Sequence, residues 1–203
     1  MSAPSRTINP LQRCLLSNGS YSVMLSASGS GFSRWKQLAV TRWREDPTGD
    51  HWGSYLLLRD EDNGTAWSAS QQPYGSRTPD DAIAFSPGRA NFSRRHHSVH
   101  SVLDVAVASD ADIELRRLTL SNHGDRTRTL TLTSYAELVL GPIGADNAHP
   151  AFSKMFLQTE WDAANGLLLA TRRRRDASEA EVWVAQALQI EGQHDAAAAE
   201  HET

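Results

Sequence analysis

The sequence predicts an all-β fold, an antiparallel sandwich or barrel of about nine or ten strands. Apolar and polar side chains alternate with period two along much of the 203-residue chain, whereas helical periodicity is nearly absent. Turn-forming dipeptides separate the alternating runs at intervals of roughly ten residues. Because few segments have the length and period of a helix, these observations favour antiparallel strands over an α/β arrangement.

The clearest strands are predicted in four segments with alternating apolar side chains: 20–28, 98–108, 127–140 and 182–190. Shorter apolar runs predict further strands at 55–58, 83–85, 155–157 and 167–170. In the segment 112–120, Ile113 and Leu115 share one face, but Leu118 and Leu120 share the other. We therefore expect a bulge at Arg116-Arg117, which would restore the register.

Hairpin turns are predicted at four places: Asp62-Asn63-Gly64, Ser86-Pro87-Gly88, Asn122-His123-Gly124-Asp125 and Asn165-Gly166. Segment 141–153 contains two prolines and two glycines without alternation, and it predicts a long connecting loop. Residues 192–203 form an alanine-rich tail of low complexity. These boundaries predict an N-terminal lead (1–14), one β-sandwich domain (15–191) and the tail.

Composition excludes several classes of protein. The chain has 20 Lys and Arg against 24 Asp and Glu, so a net charge of −4 gives no general attraction to nucleic acid or anionic membranes. The run Arg172–Arg175 predicts a polar edge strand or a contact with another domain. No run of about 18 apolar residues predicts a membrane span, and no signal peptide is evident. Cys14 is the only cysteine, which excludes an internal disulfide and a cysteine-based zinc site and indicates a reducing, cytoplasmic setting.

The sequence does not match the motifs of common catalytic, metal and cofactor sites. Arg34 stands where a dinucleotide-binding loop that follows Gly29-Ser30-Gly31 requires a glycine. In an extended strand, His96 and His97 would point to opposite faces. His96 and His100 would lie about 13 Å apart, too far for one ion. We therefore expect no metal ion and no cofactor.

The segment 29–55, called here the Trp-rich segment, is the strongest candidate for a ligand site. It holds three of the chain's six tryptophans among arginines and carboxylates, and its Pro47-Thr48-Gly49 break predicts an irregular loop with short extended pieces. Aromatic rings stack on the C–H face of a pyranose, and charged side chains bind its hydroxyls, so this composition suits sugar recognition. Tryptophans that only pack the loop onto the sandwich are the alternative, and composition alone favours packing.

Several motifs, in a consistent order, resemble one known family. The longest is NGSYSVMLSASGSGFSRWKQLAVTRWREDPTGDHWGSYLLLRD at 18–60. Others are WSA at 67–69 with QP at 72–73, RRLTLSNH at 116–123, LTSYAEL at 132–138, AHPAFSKMF at 148–156 and ATRRRR at 170–175. Together they resemble the amino-terminal sandwich of glycoside hydrolase family 94, formerly glycosyltransferase family 36, and most of all the phosphorylase-like part of cyclic β-1,2-glucan synthases. The resemblance covers residues 15–191.

This resemblance implies a large supersandwich of the galactose-mutarotase-like type. In full-length members, this domain packs on an (α/α)6 barrel and often contributes to dimerisation. The barrel carries the catalytic aspartate, and inorganic phosphate attacks the anomeric carbon with inversion. No segment of this chain resembles the barrel, so the resemblance places no catalytic residue here. Since the family's sandwich usually runs longer, we expect a fragment, a truncated reading frame or a divergent stand-alone copy.

The resemblance therefore predicts a non-catalytic, carbohydrate-associated domain that docks on the barrel and helps to wall a glucan site. The expected partners are a glucan or gluco-oligosaccharide, the barrel and a second copy in a homodimer, without nucleic acid. We expect a cytoplasmic location, compatible with an inner-membrane-associated parent protein. The candidate sugar contacts, in the Trp-rich segment and the 147–153 loop, are Arg34, Trp35, Arg42, Trp43, Trp52 and His149.

Two alternatives stay open. One is a self-sufficient mutarotase-like sugar enzyme that uses a histidine and a carboxylate, for example His149 with Glu137 or Asp146. The other is a structural or dimerisation module whose tryptophans seal an interface.

Overall fold

The computed structural model describes residues 12–45, 49–174, 176, 179 and 181–191. The chain divides into two compact units, Met1–Glu137 and Leu138–Thr203. The described residues form fifteen β-strands and two short helices, so the all-β prediction is confirmed although the strands outnumber the expected nine or ten. Neither described helix is long and apolar enough to cross a bilayer.

The described part of the first unit contains eleven strands in antiparallel sheets. Strands β1 to β4 are neighbours in that order, a second sheet has the order β10-β9-β8-β7, and a third has the order β11-β5-β6. The strands are β1 Arg13–Ser17, β2 Tyr21–Ser26, β3 Gly31–Trp35, β4 Leu38–Thr41, β5 Tyr55–Asp60, β6 Ala66–Ser68, β7 Ala82–Ser86, β8 Arg89–His96, β9 Val99–Val107, β10 Glu114–Asn122 and β11 Leu130–Tyr135.

The core of this unit lies between the inward faces of its sheets. Val23 and Leu25 of β2 and Leu103 and Val105 of β9 are each at most 3% exposed, which confirms the alternation predicted for 20–28 and 98–108. Cys14 belongs to the same apolar cluster, because β1 pairs with β2 and turns this side chain inward. The apolar alternation therefore buries the inward faces of the strands in a common cluster.

Three of the four predicted hairpin turns are confirmed. Asn63-Gly64 connects the paired strands β5 and β6, and Pro87-Gly88 connects β7 and β8. Asn165-Gly166 lies in the second unit, between two paired strands there. The prediction for 122–125 is wrong, since this segment joins β10 to β11, which belong to different sheets.

The predicted bulge at Arg116-Arg117 is wrong. β10 pairs with β9 in unbroken register, from Glu114 opposite Val107 to Asn122 opposite Val99. The prediction assumed that every inward position would be apolar, but Glu114 and Arg116 occupy two of these positions and Leu115 is 55% exposed.

Glu114 and Arg116 can lie between the sheets because they have opposite charges and are hydrogen-bonded to each other. The Nε atom of Arg116 donates to Glu114 Oε1 at 2.6 Å, and Ser33 Oγ donates to Glu114 Oε2 at 2.6 Å. Burial by itself raises the pKa of Glu114, but Arg116 and the hydroxyls of Ser33 and Tyr21 outweigh burial and hold the pKa below its usual range. A paired and hydrogen-bonded charge therefore replaces apolar packing here.

The second unit contains a three-stranded antiparallel sheet with the order β13-β14-β15. Its elements are β12 Leu138–Pro142, α1 Ile143–Ala148, α2 Pro150–Lys154, β13 Leu157–Asp162, β14 Leu167–Arg172 and β15 Trp183–Ala187. The long loop predicted for 141–153 is wrong, because two short helices fill most of it. The strands predicted at 127–140 and 155–157 also need correction: the first is divided between β11 and β12, and β13 begins only at Leu157.

The edge strand predicted for the arginine run is wrong at Arg172, because β14 is the central strand of its sheet. Arg172 Nη1 donates to the carbonyl oxygens of Val139 and Ser153 at 3.2 and 3.1 Å. Its guanidinium also lies 5.3 Å from the centre of the Phe156 ring. Arg172 thus joins β14 to β12 and α2, and so connects two of the family-like motifs. Arg175, the lead 1–11 and the tail 192–203 lie outside the described residues.

Candidate functional site

The first half of the Trp-rich segment is a β-hairpin: the short extended pieces that were predicted are present as β3 and β4, and the irregular loop does not extend over residues 31–41. In β3 and β4, Trp35 lies opposite Leu38 and Arg34 lies opposite Ala39. Lys36 in the turn has a φ of 52°, a left-handed conformation that suits a two-residue hairpin loop. Residues 42–45 and 49–54 are irregular, and residues 46–48 lie outside the described residues.

β3 separates the candidate residues Arg34 and Trp35 onto opposite faces of its sheet, because side chains alternate along a strand. Ser33 shares a face with Trp35 and bonds to Glu114 between the sheets, which makes that face the inward one. Phe32 and Arg34 therefore lie on the outward face. The two candidates can contact one ligand only if it reaches around the end of the strand.

The outward face carries a surface that we call the Phe32 face: Leu15, Met24, Phe32, Arg34 and Trp43. Met24 lies opposite both Leu15 and Phe32 in the sheet, and Leu15 is 67% exposed. The Trp43 ring meets the Phe32 ring edge-on with centroids 5.5 Å apart, and the Arg34 guanidinium lies 4.2 Å from the centre of the Phe32 ring. This outward face thus carries an apolar row, an aromatic pair and a cation. Leu15 is exposed, and the other four residues are half-buried.

Trp35 is engaged elsewhere. Its Nε1 atom donates to Asp112 Oδ2 at 2.6 Å, and Lys36 Nζ lies 4.4 Å from the centre of its ring. Asp112 also accepts a hydrogen bond from Ser20, and the bonds from Ser20 and Trp35 lower the pKa of this carboxyl. Trp35 therefore ties the end of β3 to the β9–β10 connection.

Arg42 is buried and anchors the start of the irregular stretch. Its Nη1 donates to Glu137 Oε2 at 2.7 Å, and the side chains of Arg42 and Glu137 are 3% and 27% exposed. The backbone N–H of Arg42 donates to the carbonyl oxygen of Glu137 at 2.8 Å. Two bonds to one residue thus fix the chain one position before Trp43.

Asp50 anchors the far end of the stretch to the β2–β3 turn. Its carboxylate accepts hydrogen bonds from three serine hydroxyls: Ser26 at 3.0 Å, Ser28 and Ser30. Burial by itself raises the pKa of Asp50, but the bonds from Ser28, Ser30 and Ser26 outweigh burial and leave the pKa below its ordinary value. The ionised carboxylate therefore holds this end of the segment.

The backbone around Trp52 is fixed as well. The carbonyl oxygen of Trp52 accepts from the N–H of Gly31 at 2.8 Å, and Tyr55 donates its hydroxyl to the carbonyl oxygen of His51 at 2.7 Å. A Cβ atom on Gly53 would lie 3.0 Å from the hydroxyl end of the Tyr55 ring and 3.2 Å from the Cα of Ser30, so the chain passes close to both residues here. Trp52 is half-buried beside the ring of His51, with centroids 5.3 Å apart.

Sequence reasoning missed Phe32 and Arg44 as members of this site. The guanidinium of Arg44 lies 5.9 Å from the centre of the Trp52 ring. Its Nε atom is buried and, within the described residues, has no hydrogen-bond partner. The sequence does place arginines and tryptophans in one segment. However, the direction of a side chain cannot be inferred from the sequence where the backbone is irregular.

His149 lies in the second unit, between α1 and α2, and its side chain is exposed. Its N–H donates to the Ala145 carbonyl oxygen at 3.3 Å, and its own carbonyl oxygen accepts from the N–H of Ser153 at 2.9 Å. The backbone of His149 thus joins the two short helices. Phe152 follows on α2 and is 51% exposed.

Comparison with known proteins gives the family. Residues 5–203 match the glycosyl hydrolase 94 supersandwich domain. The chain is 40% identical over 171 residues to the cyclic beta-(1,2)-glucan synthase NdvB of Rhizobium meliloti (strain 1021), which is 84% of this chain but 6% of that protein. It is 30% identical over 117 residues to the N,N'-diacetylchitobiose phosphorylase of Vibrio proteolyticus, or 56% of this chain and 14% of that protein.

The corresponding phosphorylase of Vibrio furnissii is 28% identical over 132 residues, or 64% of this chain and 16% of that protein. The chain thus spans a small part of each of these relatives. The resemblance found in the sequence motifs is confirmed, and the antiparallel sheets agree with a supersandwich. With nearly every residue covered by the family match, the chain belongs to the glycosyl hydrolase 94 supersandwich domain family.

Proposed function

We propose that this chain is a non-catalytic carbohydrate-binding domain, and that its Phe32 face contacts a glucan or gluco-oligosaccharide. The observation that carries the proposal is the Phe32–Trp43 pair with Arg34 beside it, on an outward sheet face whose connecting segment is hydrogen-bonded at both ends. Sugar sites combine flat apolar rings with a few fixed polar groups, and this surface supplies both.

The anchoring of the segment supports a binding role on energetic grounds. A site that is ordered before binding loses less conformational freedom when the ligand arrives. Arg42 and Asp50 are each held by hydrogen bonds, one before Trp43 and the other before Trp52. In the proposal, Arg42 holds the segment, whereas Trp43 and Trp52 contact sugar.

Trp35 and His149 have different parts in the proposal. The bond from Trp35 to Asp112 gives this tryptophan a positioning role and is the observation that favours the structural-module alternative. His149 lies on an exposed segment of the second unit, and we propose it as a separate sugar contact of that unit.

We further propose that the domain docks on an (α/α)6 catalytic barrel in the reducing cytoplasm, with a homodimer as a possible assembly. The support is that the matched relatives are named as a glucan synthase and as phosphorylases, and that this chain corresponds to only 6–16% of their length. Met155, 72% exposed beside the exposed Phe152, gives the second unit an apolar surface suited to such a contact.

Tryptophan fluorescence during titration with a β-1,2-gluco-oligosaccharide and with N,N'-diacetylchitobiose tests the binding role. We expect a saturable change for the wild type with at least one sugar and its loss in Trp43→Ala at an unchanged melting temperature. Trp183→Ala is the matched control, because Trp183 is 52% exposed in the second unit. Wild-type fluorescence that does not respond to millimolar sugar, with a Trp43→Ala variant that is only less stable, would favour the structural module instead.

A further inference from the structure

We infer that Arg44 and Trp52 form a second sugar-contact point, in which a pyranose stacks on the Trp52 ring and the Arg44 guanidinium donates to its hydroxyls. The inference rests on the proposed carbohydrate-binding function and adds to it a residue that the sequence had not indicated.

Arg44 differs from the other cations of the Trp-rich segment in how its charge is used. Arg42 is buried in the ion pair with Glu137, and Lys36 is exposed and lies 4.4 Å from the Trp35 ring. Arg44 is half-buried 5.9 Å from the Trp52 ring, and its Nε is without a hydrogen-bond partner among the described residues. Arg44 therefore carries a charged donor that no group of the described residues satisfies.

An acceptor is expected at this position because a buried N–H without a partner is energetically costly. A guanidinium presents its Nε–H and Nη–H groups in one planar fork, which can donate to two neighbouring hydroxyl oxygens at once. The half-buried indole of Trp52 lies beside that fork and offers a flat apolar surface. This combination suits a pyranose, whose hydroxyls lie around the rim of an apolar ring face.

The pair is also held in place by the chain around it. The Trp52 carbonyl oxygen is bonded to Gly31, and Asp50 is bonded to three serines two positions earlier. Arg44 itself lies two positions after the buried Arg42. Fixed backbone on both sides limits the entropy lost when a ligand is bound.

Local charge favours a neutral sugar over an inorganic anion. Glu45 follows Arg44 directly and is exposed, and Asp50 lies in the same irregular stretch. With two carboxylates in the same segment, we expect a weaker electrostatic attraction to a phosphate than an arginine alone would give. A sugar hydroxyl accepts a hydrogen bond without needing a net positive field.

Calorimetric titration of the full chain with a β-1,2-gluco-oligosaccharide tests the inference. We expect Arg44→Gln to raise the Kd roughly tenfold or more, with Arg44→Lys intermediate and Trp52→Phe weakened. Arg59→Gln is the matched control: Arg59 is 60% exposed on β5, and its substitution should leave the Kd within about twofold. Thermal melting of each variant shows whether it is folded. If Arg44→Gln is not folded, the Kd of Arg44→Lys tests the inference instead.

The outcomes separate this inference from the proposed function. If the wild type binds sugar and Arg44→Gln binds it equally well, the inference is overturned while the carbohydrate-binding function stands. If Arg44→Gln loses affinity for inorganic phosphate but keeps its affinity for sugar, Arg44 belongs to an anion site and the inference is again overturned. If the wild type binds no sugar at all, both proposals fail.

Discussion

Arg42 Nη1 lies 2.7 Å from Glu137 Oε2, and this ion pair fixes the chain where the Trp-rich segment leaves β4. The Arg42 side chain is 3% exposed, so its charge depends on protein groups rather than on water. Trp43 follows directly and contacts Phe32. The position of a half-buried aromatic ring is thus set by a buried charge pair.

Removing the carboxylate of this pair should destabilise the first unit. Glu137→Ala removes the carboxylate that accepts the hydrogen bond from the buried Arg42, and we expect the free energy of unfolding in urea to fall by about 2–3 kcal/mol. Glu61→Ala is the matched control, because Glu61 pairs with the exposed Arg59 at 3.8 Å and its loss should cost less than about 0.5 kcal/mol. Equal losses in the two variants would show that the Arg42 pair does not anchor the segment.

Asp50→Asn should lower stability in a pH-dependent way. The folded pKa of Asp50 lies below its unfolded value, so the ionised carboxylate stabilises the folded chain fully above about pH 4. That contribution is lost as the pH falls through the folded pKa. Urea unfolding at pH 7 should therefore show a deficit of about 1–2 kcal/mol for the variant, and the deficit should shrink below pH 4. A deficit that is the same at pH 2.5 would contradict the claim that the ionised, serine-bonded carboxylate of Asp50 stabilises the fold.

The buried Glu114 gives a double-mutant prediction. Glu114→Gln leaves Arg116 between the sheets without a counter-charge and should cost about 3 kcal/mol in urea unfolding. Replacing both residues with leucine restores apolar packing and should recover much of that loss, although the bond from Arg116 to the Ser54 carbonyl oxygen also disappears. If the double variant is less stable than Glu114→Gln, the pair contributes more than mutual neutralisation.

His96 should make the stability of the first unit sensitive to mild acid. β8 ends at His96 and His97 lies in the following turn with a φ of 51°, so the prediction that the two rings point to opposite faces is wrong. The His96 ring stacks on Trp67 with centroids 4.4 Å apart, and the His97 ring lies 4.6 Å away. Burial lowers the pKa of His96, and His97 and Arg94 lower it further, against the opposing effect of Asp60.

Because the folded pKa is lowered, the unfolded chain takes up the proton first as the pH falls below about 6.5, and stability is lost on the way down to the folded pKa. His96→Phe keeps a ring on Trp67 but cannot titrate. The decrease in melting temperature from pH 7.5 to pH 5.0 should therefore be larger for the wild type than for His96→Phe. Identical falls in the two proteins would assign the acid sensitivity to other groups.

Much of the fold could be predicted from the sequence because its strands obey a simple pattern. Val23 and Leu25 are inward as the alternation requires, and Asn63-Gly64 forms a hairpin turn as its dipeptide indicates. The pattern failed where a polar residue is buried with a partner from another strand. At Glu114, the inward position is stabilised by Ser33, which lies 81 residues away in the sequence.

The candidate site was predicted as a segment but not as a set of contacts. Composition located the Trp-rich segment, yet it gave Arg42 and Trp35 the same part as Trp43. The distinction depends on Glu137 and Asp112, which reach these side chains only after the strands have paired. Two short helices at 143–154 were missed because each has at most six residues, too few for a helical period to be detected.

The most direct test of the central claim is amide hydrogen–deuterium exchange of the full chain, with and without a saturating β-1,2-gluco-oligosaccharide. If the Trp-rich segment is a sugar-binding surface, the sugar should slow exchange in peptides that cover residues 31–45 and 49–55, and Trp43→Ala should abolish this protection. Exchange rates in these peptides that are the same with and without the sugar would contradict the account.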